Sequence, residues 1–233
     1  QMQKYDVVML DYVYMGQFMQ LVKMYRTYRM RFPGVIFPGL MYKDPSLARG
    51  LSREQALRLF QYYDNGGQEN IRRMFVYLKS DVLKVSTEQA KPPILFPEVG
   101  IYHPDAPQKV FATLDEYLTW KAPAGDQPVI GVGFHRIRLS GDLTLHLDDL
   151  IHRIEAKGAL PLAFYDPNEG EKTNSLLYKD DQLFVDTLVT FTGMYTSVDK
   201  QKHWLSSLDV PMVQANVWRT GYLSEWVEDD EGF

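Results

Sequence analysis

The sequence predicts an α/β protein in which a parallel-sheet domain of the flavodoxin-like or Rossmann-like kind follows a partial α/β or helical lobe. Three observations lead to this class. Short apolar runs alternate with segments of helical spacing, residues 128–165 have the order strand, helix, strand, and 45% of the 233 residues are hydrophobic. A chain of this size can bury a sizeable core. We expect residues 1–90 to form the N-terminal lobe, 91–127 a linker with a short helix, and 128–233 a small parallel α/β domain.

The N-terminal lobe is expected to open with a strand, a helix and a second strand. The apolar run Tyr5–Leu10 is typical of a buried strand, and residues 16–31 have helical spacing before Pro33 stops the helix. Gly34–Leu40 is a second strand-like run, which Pro38 interrupts. These patterns favour an α/β start to the lobe.

Two consecutive helices are predicted next. Ser52 and Gln55 have the spacing of a capping box, in which each side chain bonds the backbone amide of the other residue. The first helix should run to about Asp64, and the second should begin near Gln68 with Glu69 in its positive first turn. Apolar residues at helical spacing predict one buried face on the second helix: Ile71, Met74, Phe75, Leu78 and Val82.

The clearest unit of the sequence is a strand, a helix and a strand between residues 128 and 165. The strand 128–136 and the strand 159–165 flank a helix over 143–157, which Asp142 is expected to cap and Gly158 to end. Short connections of this kind predict a right-handed parallel crossover. The apolar stripe of the helix that should face the sheet comprises Leu143, Leu147, Leu150, Ile151 and Ile154.

Weaker patterns flank this unit. Residues 86–93 are polar and end in two prolines, as linkers do, and residues 114–120 favour a short helix. Two further apolar strands are expected within 184–195 and 210–218, separated by a helix near 198–208.

Composition excludes several classes of function. The chain has no cysteine, so disulfides, thiolate metal sites and cysteine nucleophiles are excluded. A net charge of -5 without a basic stripe argues against nucleic acid. No apolar run is long enough to span a membrane, and no signal peptide is visible. Because the sequence opens almost directly into a strand, we expect it to be a piece of a longer protein.

The adjacent glycines Gly66 and Gly67 pose the question of whether the chain binds a nucleotide. A phosphate loop needs a glycine-rich turn between a strand and a helix, so that backbone amides converge on the anion. Gly66 and Gly67 instead follow a predicted helix, after Asp64 and Asn65. The sequence therefore predicts a turn between two helices and no phosphate loop.

The strand at 128–136 ends in a second candidate site. Gly131 and Gly133 begin a dinucleotide-binding fingerprint, but its third glycine would fall at Arg136, so the fingerprint fails. Ligands of open α/β sheets bind outside the carboxyl ends of the strands, which places His135 and Arg136 at a candidate cleft. The alternative, that both are ordinary loop residues, is equally open.

The remaining histidines favour structural roles. His146 and His152 lie on the helix 143–157, rotated away from each other, and with Asp149 they should be exposed to solvent. His203 is expected on a surface helix. His103 lies in a rigid turn, where it is either a ligand-binding residue or a structural hydrogen-bonding residue.

The basic aromatic segment 25–32 suits either the pairing of arginines with carboxylates or the usual placement of cations at a helix end. We find no Ser-His-Asp order, no paired carboxylates of catalytic spacing and no HExxH motif in the sequence.

Six motifs follow one another along the chain. They are YYDNGGQENIRRMFVYL, GIYHPDAP, LDEYLTWK, the 127–165 unit with QPVIGVGFHR, SGD and LDDLIHRIEAKGALPLAFY, then VDTLVTFTG and LDVPMVQA. This ordered series resembles the N-terminal half of the large subunit of cobaltochelatase and of its relative, the porphyrin-binding subunit of magnesium chelatase. The chain differs from the family pattern at His135, Arg136 and Asp142.

The resemblance implies a fragment of a tetrapyrrole metal chelatase large subunit, a cobaltochelatase-like ligase. Its parent would bind a corrin or porphyrin for ATP-dependent insertion of a divalent metal, giving a Co, Mg or Fe tetrapyrrole. The implied partners are the tetrapyrrole, AAA-type ATPase and adaptor subunits that bind ATP–Mg, and the remainder of the same polypeptide. No cofactor is expected in the fragment, which alone should be inactive. The implied location is the cytoplasm.

Site residues follow from the resemblance together with the predicted sheet edge. For substrate binding they are His103, His135, Arg136 and Ser140. For the structural motif they are Gly66, Gly67, Asn70, Pro104 and Gly141. No catalytic residue carries over, because family catalysis is expected outside the matching region, and no metal ligand is predicted.

Two alternatives stay open. The first is a haem dechelatase of a haem-uptake system, periplasmic or membrane-associated, which removes iron from haem with His103 or His135 as an axial ligand. The second is a noncatalytic module that binds a tetrapyrrole or docks another protein.

Overall fold

The computed structural model describes residues 5–10, 20, 23, 35–38, 44–45, 48–165, 170–191, 204, 207–215 and 224. The chain divides into two compact units. The first unit holds the chain up to Phe96 together with Leu139–Leu143, and the second holds Pro97–Arg138 and the chain from Thr144 onwards. The sequence-predicted domain boundaries stay predictions.

The first unit contains two parallel strands and two helices. Strand β1 (Val7–Leu10) pairs in parallel with β2 (Val35–Pro38). Helix α1 (Arg53–Asn65) and helix α2 (Gly67–Tyr77) follow, and α2 continues into one π-helical turn (Leu78–Val82). The predicted strands and helix pair are confirmed, whereas the helix over 16–31 and the basic aromatic segment 25–32 lie outside the described residues, except that Gln20 and Lys23 are helical.

Local sequence signals explain where α1 begins and which faces pack. The capping box is confirmed, since Ser52 Oγ accepts from Gln55 N–H at 3.1 Å and Gln55 Oε1 accepts from Ser52 N–H at 2.9 Å. The predicted face of α2 is wrong at Phe75, which is 53% exposed. The contact with α1 is narrower than the periodicity suggests. The buried core of the unit comprises Ala48, Ala56, Leu59, Phe60, Tyr62, Met74, Tyr77 and Leu78.

The second unit is built on a mixed sheet of six strands in the order β10-β9-β5-β6-β3-β4. Strands β10, β9, β5 and β6 are parallel, and β3 and β4 complete the sheet in antiparallel fashion. The predicted α/β class and the crossover from β5 to β6 are therefore confirmed. The strand bounds are β3 Ile101–Tyr102, β4 Val110–Phe111, β5 Val129–Phe134, β6 Leu160–Tyr165, β9 Thr187–Thr190 and β10 Met212–Gln214, with a separate hairpin of β7 Tyr178–Lys179 and β8 Gln182–Leu183.

Strands β3 and β4 fall within the segment predicted as a linker. Each has only two residues, which is too short to show the alternation that marks a strand in sequence.

Four helices accompany the sheet: α3 (Leu114–Lys121), α4 (Ile137–Ser140), α5 (Leu145–Ala156) and α6 (Gly170–Leu177). Helix α5 buries Leu147, Ile151 and Ile154, as its stripe predicts, while Leu150 is half-buried and Leu143 is 55% exposed. The expected cap by Asp142 is wrong. The helix starts later, after Thr144, and the Asp142 carboxylate accepts instead from Gln68 Nε2 at 3.1 Å.

Gly158 follows α5 with a φ of +80°, which confirms its predicted role in ending the helix. The core of the second unit lies between the sheet and its helices, and includes Ile101, Phe111, Tyr117, Leu160, Leu162, Phe164, Leu176 and Leu188. Among the described residues, no helix has both the length and the apolar character needed to cross a membrane.

Candidate functional site

The glycine pair connects α1 to α2. Gly66 has a φ of +57° and a ψ of −152°, and its N–H donates to the carbonyl of Tyr62 at 3.0 Å. A Cβ at Gly66 would lie 1.9 Å from the carbonyl oxygen of Ser140. A side chain is therefore excluded by close backbone approach, and the predicted turn between helices is confirmed. Two predicted site residues, Gly66 and Ser140, are in contact, and Gly141 follows directly.

Asn70 joins α2 to the extended segment 91–96 in the same unit. Its side chain is 2% exposed; Nδ2 donates to the carbonyl of Ile94 and Oδ1 accepts from the N–H of Ile94, both at 2.8 Å. Asn65 Oδ1 accepts from Phe96 N–H at 2.7 Å, and Arg73 donates to the carbonyl of Pro92 at 2.7 Å. These side chains replace the backbone partners that an extended segment would find in a sheet.

The carboxyl edge of the sheet in the second unit has the topology of a ligand site. The sheet order puts β6 on one side of β5 and β9 on the other, so the progression of the chain reverses between β5 and β9. Ligands of open α/β sheets bind at such a switch point. His135 and Arg136 follow β5 directly, and Phe191 follows β9, with its N–H donating to the carbonyl of Gly133 at 2.8 Å.

His146 is a residue of this edge that sequence reasoning placed in solvent, and that expectation is wrong. It lies in the first turn of α5, half-buried, with its ring 5.3 Å from the ring of Phe191. Its Nε2 is buried without a hydrogen-bond partner. Helical spacing alone could not show this, because Phe191 comes from a strand far along the chain.

Basic groups surround His146. Burial lowers its pKa, the charge of Arg138 lowers it further, and Asp148 opposes the shift. Arg136 and Arg138 are both half-buried on the segment that follows β5. The edge therefore presents a neutral imidazole beside guanidinium groups, which suits a ligand with carboxylate groups and a flat apolar body.

His103 and Pro104 lie elsewhere in the second unit, in the turn after β3. His103 is 1% exposed; its Nδ1 accepts from Asp105 N–H at 3.2 Å and its Nε2 lies 3.1 Å from Glu155 Oε1. The ring of Trp120 is 4.7 Å away, and the ammonium of Lys121 donates to the same Glu155 oxygen. Burial lowers the pKa of His103, against the hydrogen bond to Glu155.

His103 and His135 are not brought together. The strand register sets His103 level with Leu162 of β6, whereas His135 lies one residue beyond the pair of Phe134 and Tyr165. Four residues of offset correspond to ~13 Å along the strands, because a strand rises about 3.3 Å per residue. The substrate-binding role of each histidine stays a prediction.

The other two histidines differ in what the structure describes of them. His152 has a side chain that is 49% exposed, which confirms the expectation for it, and its Nε2 lies 3.1 Å from Asp105 Oδ2. His203 lies outside the described residues.

A groove of about 530 Å³ lies at the opposite, amino edge of the same sheet. Val129, Leu160 and Phe184 form its apolar part, and Asp115 and Lys179 contribute charge. None of the predicted site residues lines it, and ligands of open α/β sheets bind at the carboxyl edge instead.

The lowered pKa of His146 predicts a pH dependence of stability. The folded chain keeps this ring neutral while the unfolded chain takes up a proton below about pH 6.5, so the free energy of unfolding should decrease as the pH falls. We expect His146→Asn to remove a few tenths of a kcal/mol per pH unit from this slope, since solvent screens a half-buried ring. Urea unfolding between pH 7.5 and about 5.5 measures it. Equal slopes for both proteins would show that His146 does not titrate differently on folding.

Comparisons with known proteins identify relatives of this chain. A family model described as CobN/Magnesium Chelatase matches residues 60–233. The H protein of the magnesium chelatase of Rhodobacter capsulatus is 31% identical over 180 residues, which cover 71% of this chain and 14% of that protein. The aerobic cobaltochelatase subunit CobN of Pseudomonas aeruginosa is 32% identical over 128 residues, covering 54% and 10%.

Two more relatives extend the comparison. An uncharacterized protein of Methanocaldococcus jannaschii is 28% identical over 196 residues, covering 75% of this chain and 15% of that protein. The structure of the catalytic subunit of cobaltochelatase from Mycobacterium tuberculosis matches with a TM-score of 0.55 at 20% identity, over 95% of this chain and 20% of that chain. This likeness shows a shared fold. The matches with the M. jannaschii and R. capsulatus proteins span 15% and 14% of their lengths.

Proposed function

The chain belongs to the CobN/magnesium chelatase family, and from this premise we propose that it is part of a tetrapyrrole metal chelatase subunit. It contributes to the binding of a corrin or porphyrin into which a divalent metal is inserted. The observation that carries the proposal is the carboxyl edge of the sheet, where His135, Arg136, Arg138 and His146 lie at the switch point. This edge falls within the residues that the family model matches.

The chemistry of a tetrapyrrole suits this edge. Metal-free corrin and porphyrin precursors are flat macrocycles with carboxylate arms. Guanidinium groups such as Arg136 and Arg138 pair with carboxylates in bidentate fashion. The ring of Phe191 offers an aromatic contact to the macrocycle.

The glycine pair supports a division of labour with other polypeptides. Gly66 and Gly67 lie between two helices, and the N–H of Gly66 is bonded within the chain, so these residues do not form a phosphate loop. In the proposal, AAA-type ATPase and adaptor subunits bind and hydrolyse ATP–Mg. The reaction itself needs the remainder of a longer polypeptide, and it takes place in the cytoplasm.

Porphyrin binding tests the proposal. The chain is titrated with metal-free deuteroporphyrin IX, and quenching of tryptophan fluorescence is measured. We expect micromolar or tighter binding, weakened about tenfold or more in Arg136→Ala and in Arg138→Ala, since hydrogen bonds to charged groups contribute about 1.5–3 kcal/mol. The matched control is Arg153→Ala, an exposed arginine of α5 that pairs with Asp149.

Two results would reject the proposed site. One is the absence of porphyrin binding by the chain. The other is equal binding by the Arg136 and Arg153 variants, with circular dichroism showing that both are folded.

The removal of iron from haem is a second candidate, and the partnerless Nε2 of His146 favours it. A neutral imidazole nitrogen is a common axial ligand of haem iron. In this case ferric haem acquires the absorption spectrum of a histidine-ligated haem when it binds, and His146→Ala abolishes that spectrum while His152→Ala keeps it. If alanine at His103, His135 and His146 leaves the haem spectrum unchanged, axial ligation by these residues is excluded.

A further inference from the structure

A cluster of potential metal ligands lies in the second unit, at the end of α5 remote from His146. His103 and Asp105 come from the turn after β3, and His152 and Glu155 come from the last turns of α5. One ligand atom from each of His103, Asp105 and Glu155 lies within 4.8 Å of the other two. His152 joins the cluster through Asp105, whose Oδ2 lies 3.1 Å from His152 Nε2.

We propose that these four side chains bind a divalent transition metal ion such as Zn²⁺ or Co²⁺. A tetrahedral ion with bonds of about 2.1 Å holds neighbouring ligand atoms ~3.4 Å apart. The two closest pairs in the cluster, His103 with Glu155 and His152 with Asp105, are both separated by 3.1 Å. Small rotations of the exposed His152 and Asp105 side chains bring all four groups onto one ion. The site does not rest on the proposed tetrapyrrole function.

The local sequence positions the ligands. His152 and Glu155 are three residues apart on α5, so they project from one face of the helix. Pro104 stiffens the turn that carries His103 and Asp105. The N–H of Asp105 donates to His103 Nδ1 at 3.2 Å, which leaves Nε2 as the nitrogen that faces Glu155. Such a hydrogen bond orients the imidazole of a metal-binding histidine.

Lys121 shows that this position already attracts a cation. Its ammonium donates to Glu155 Oε1, the same oxygen that His103 faces. Burial alone would raise the pKa of Glu155, but hydrogen bonds from Lys121 and His103 outweigh burial and lower it. The Lys121 side chain is 26% exposed, so a metal ion can displace its ammonium into solvent. Lys121 is therefore a built-in competitor of the metal.

The ligand set selects a class of ion. Two imidazoles and two carboxylates suit Zn²⁺, Co²⁺ and Ni²⁺. Mg²⁺ prefers oxygen ligands and retains water molecules, so it should bind here weakly.

Titration of the chain with Co²⁺, followed by visible absorption, and with Zn²⁺, followed by calorimetry, tests the proposal without any tetrapyrrole. We expect one ion per chain, and an affinity reduced about tenfold or more in His152→Ala and in Asp105→Asn. Lys121→Met should raise the affinity several-fold, because it removes a competing positive charge. The matched control is His146→Ala, on the same helix but outside the cluster, which should leave the affinity unchanged.

The substituted residues His152 and Asp105 are about half exposed, so loss of folding is not the expected cause of a lost affinity, and thermal unfolding without metal checks this. The proposal is overturned if the chain binds no stoichiometric Co²⁺ or Zn²⁺. It is also overturned if the His152 and Asp105 variants bind as tightly as the parent, or if Lys121→Met alters stability alone. Porphyrin titration of the same variants should be unchanged, which separates this site from the proposed function.

Discussion

Replacement of Gly66 by alanine is expected to lower the free energy of unfolding by more than about 4 kcal/mol, or to prevent the first unit from folding. A Cβ at this position would lie 1.9 Å from the carbonyl oxygen of Ser140 and 2.7 Å from its Cα. Those are backbone atoms, so no side-chain rotation relieves the overlap. The φ of +57° adds the ordinary cost of about 1–2 kcal/mol for a residue with a Cβ.

Gly67→Ala is the matched control for this substitution. Gly67 has a φ of +72°, and no atom would lie within 4 Å of its added Cβ. Alanine there should cost only about 1–2 kcal/mol, the conformational term alone. Urea unfolding of both variants, followed by circular dichroism, measures the difference. Equal losses of stability would mean that the close contact between Gly66 and Ser140 does not constrain the fold.

Asn70→Ala is expected to lower the free energy of unfolding by about 2–3 kcal/mol. The substitution removes two hydrogen bonds of 2.8 Å to the backbone of Ile94 from a side chain that is 2% exposed. Each bond contributes about 1 kcal/mol net, and the loss also leaves a small cavity and unpaired backbone groups.

The control for Asn70 is Gln68→Ala on the same helix. Gln68 is exposed and makes one hydrogen bond to Asp142, so its loss should cost less than about 0.5 kcal/mol. Limited proteolysis should also cleave the segment 91–96 faster in Asn70→Ala than in Gln68→Ala. If both variants are as stable as the parent, other contacts hold this segment and the side-chain clamp is unimportant.

Features that depend on neighbouring residues could be predicted from the sequence. The capping box at Ser52, the glycine end of α5 at Gly158 and the crossover from β5 to β6 follow from short-range patterns, and all three are observed. The position of His135 and Arg136 after β5 follows from the same crossover. The order of motifs carried the family resemblance, and the family model bears it out.

Features that depend on tertiary contacts were missed. His146 is covered by Phe191, which lies far along the chain. Asp142 accepts from Gln68 in place of capping α5, because the segment 139–143 packs with the first unit. Glu155 and Lys121 meet His103 only through the packing of α5 and α3. The i, i+3 spacing of His152 and Glu155 was the one local signal that could have pointed to that cluster.

The central claim is that a tetrapyrrole binds at the carboxyl edge of the second unit's sheet. Hydrogen–deuterium exchange of the chain, with and without metal-free deuteroporphyrin IX and separately with ATP–Mg, tests it most directly. The claim predicts that porphyrin slows exchange at 135–138, at 145–147 and at Phe191, and that ATP slows exchange nowhere. Porphyrin protection confined to other segments, or protection of the amides at 66–70 by ATP, would contradict it.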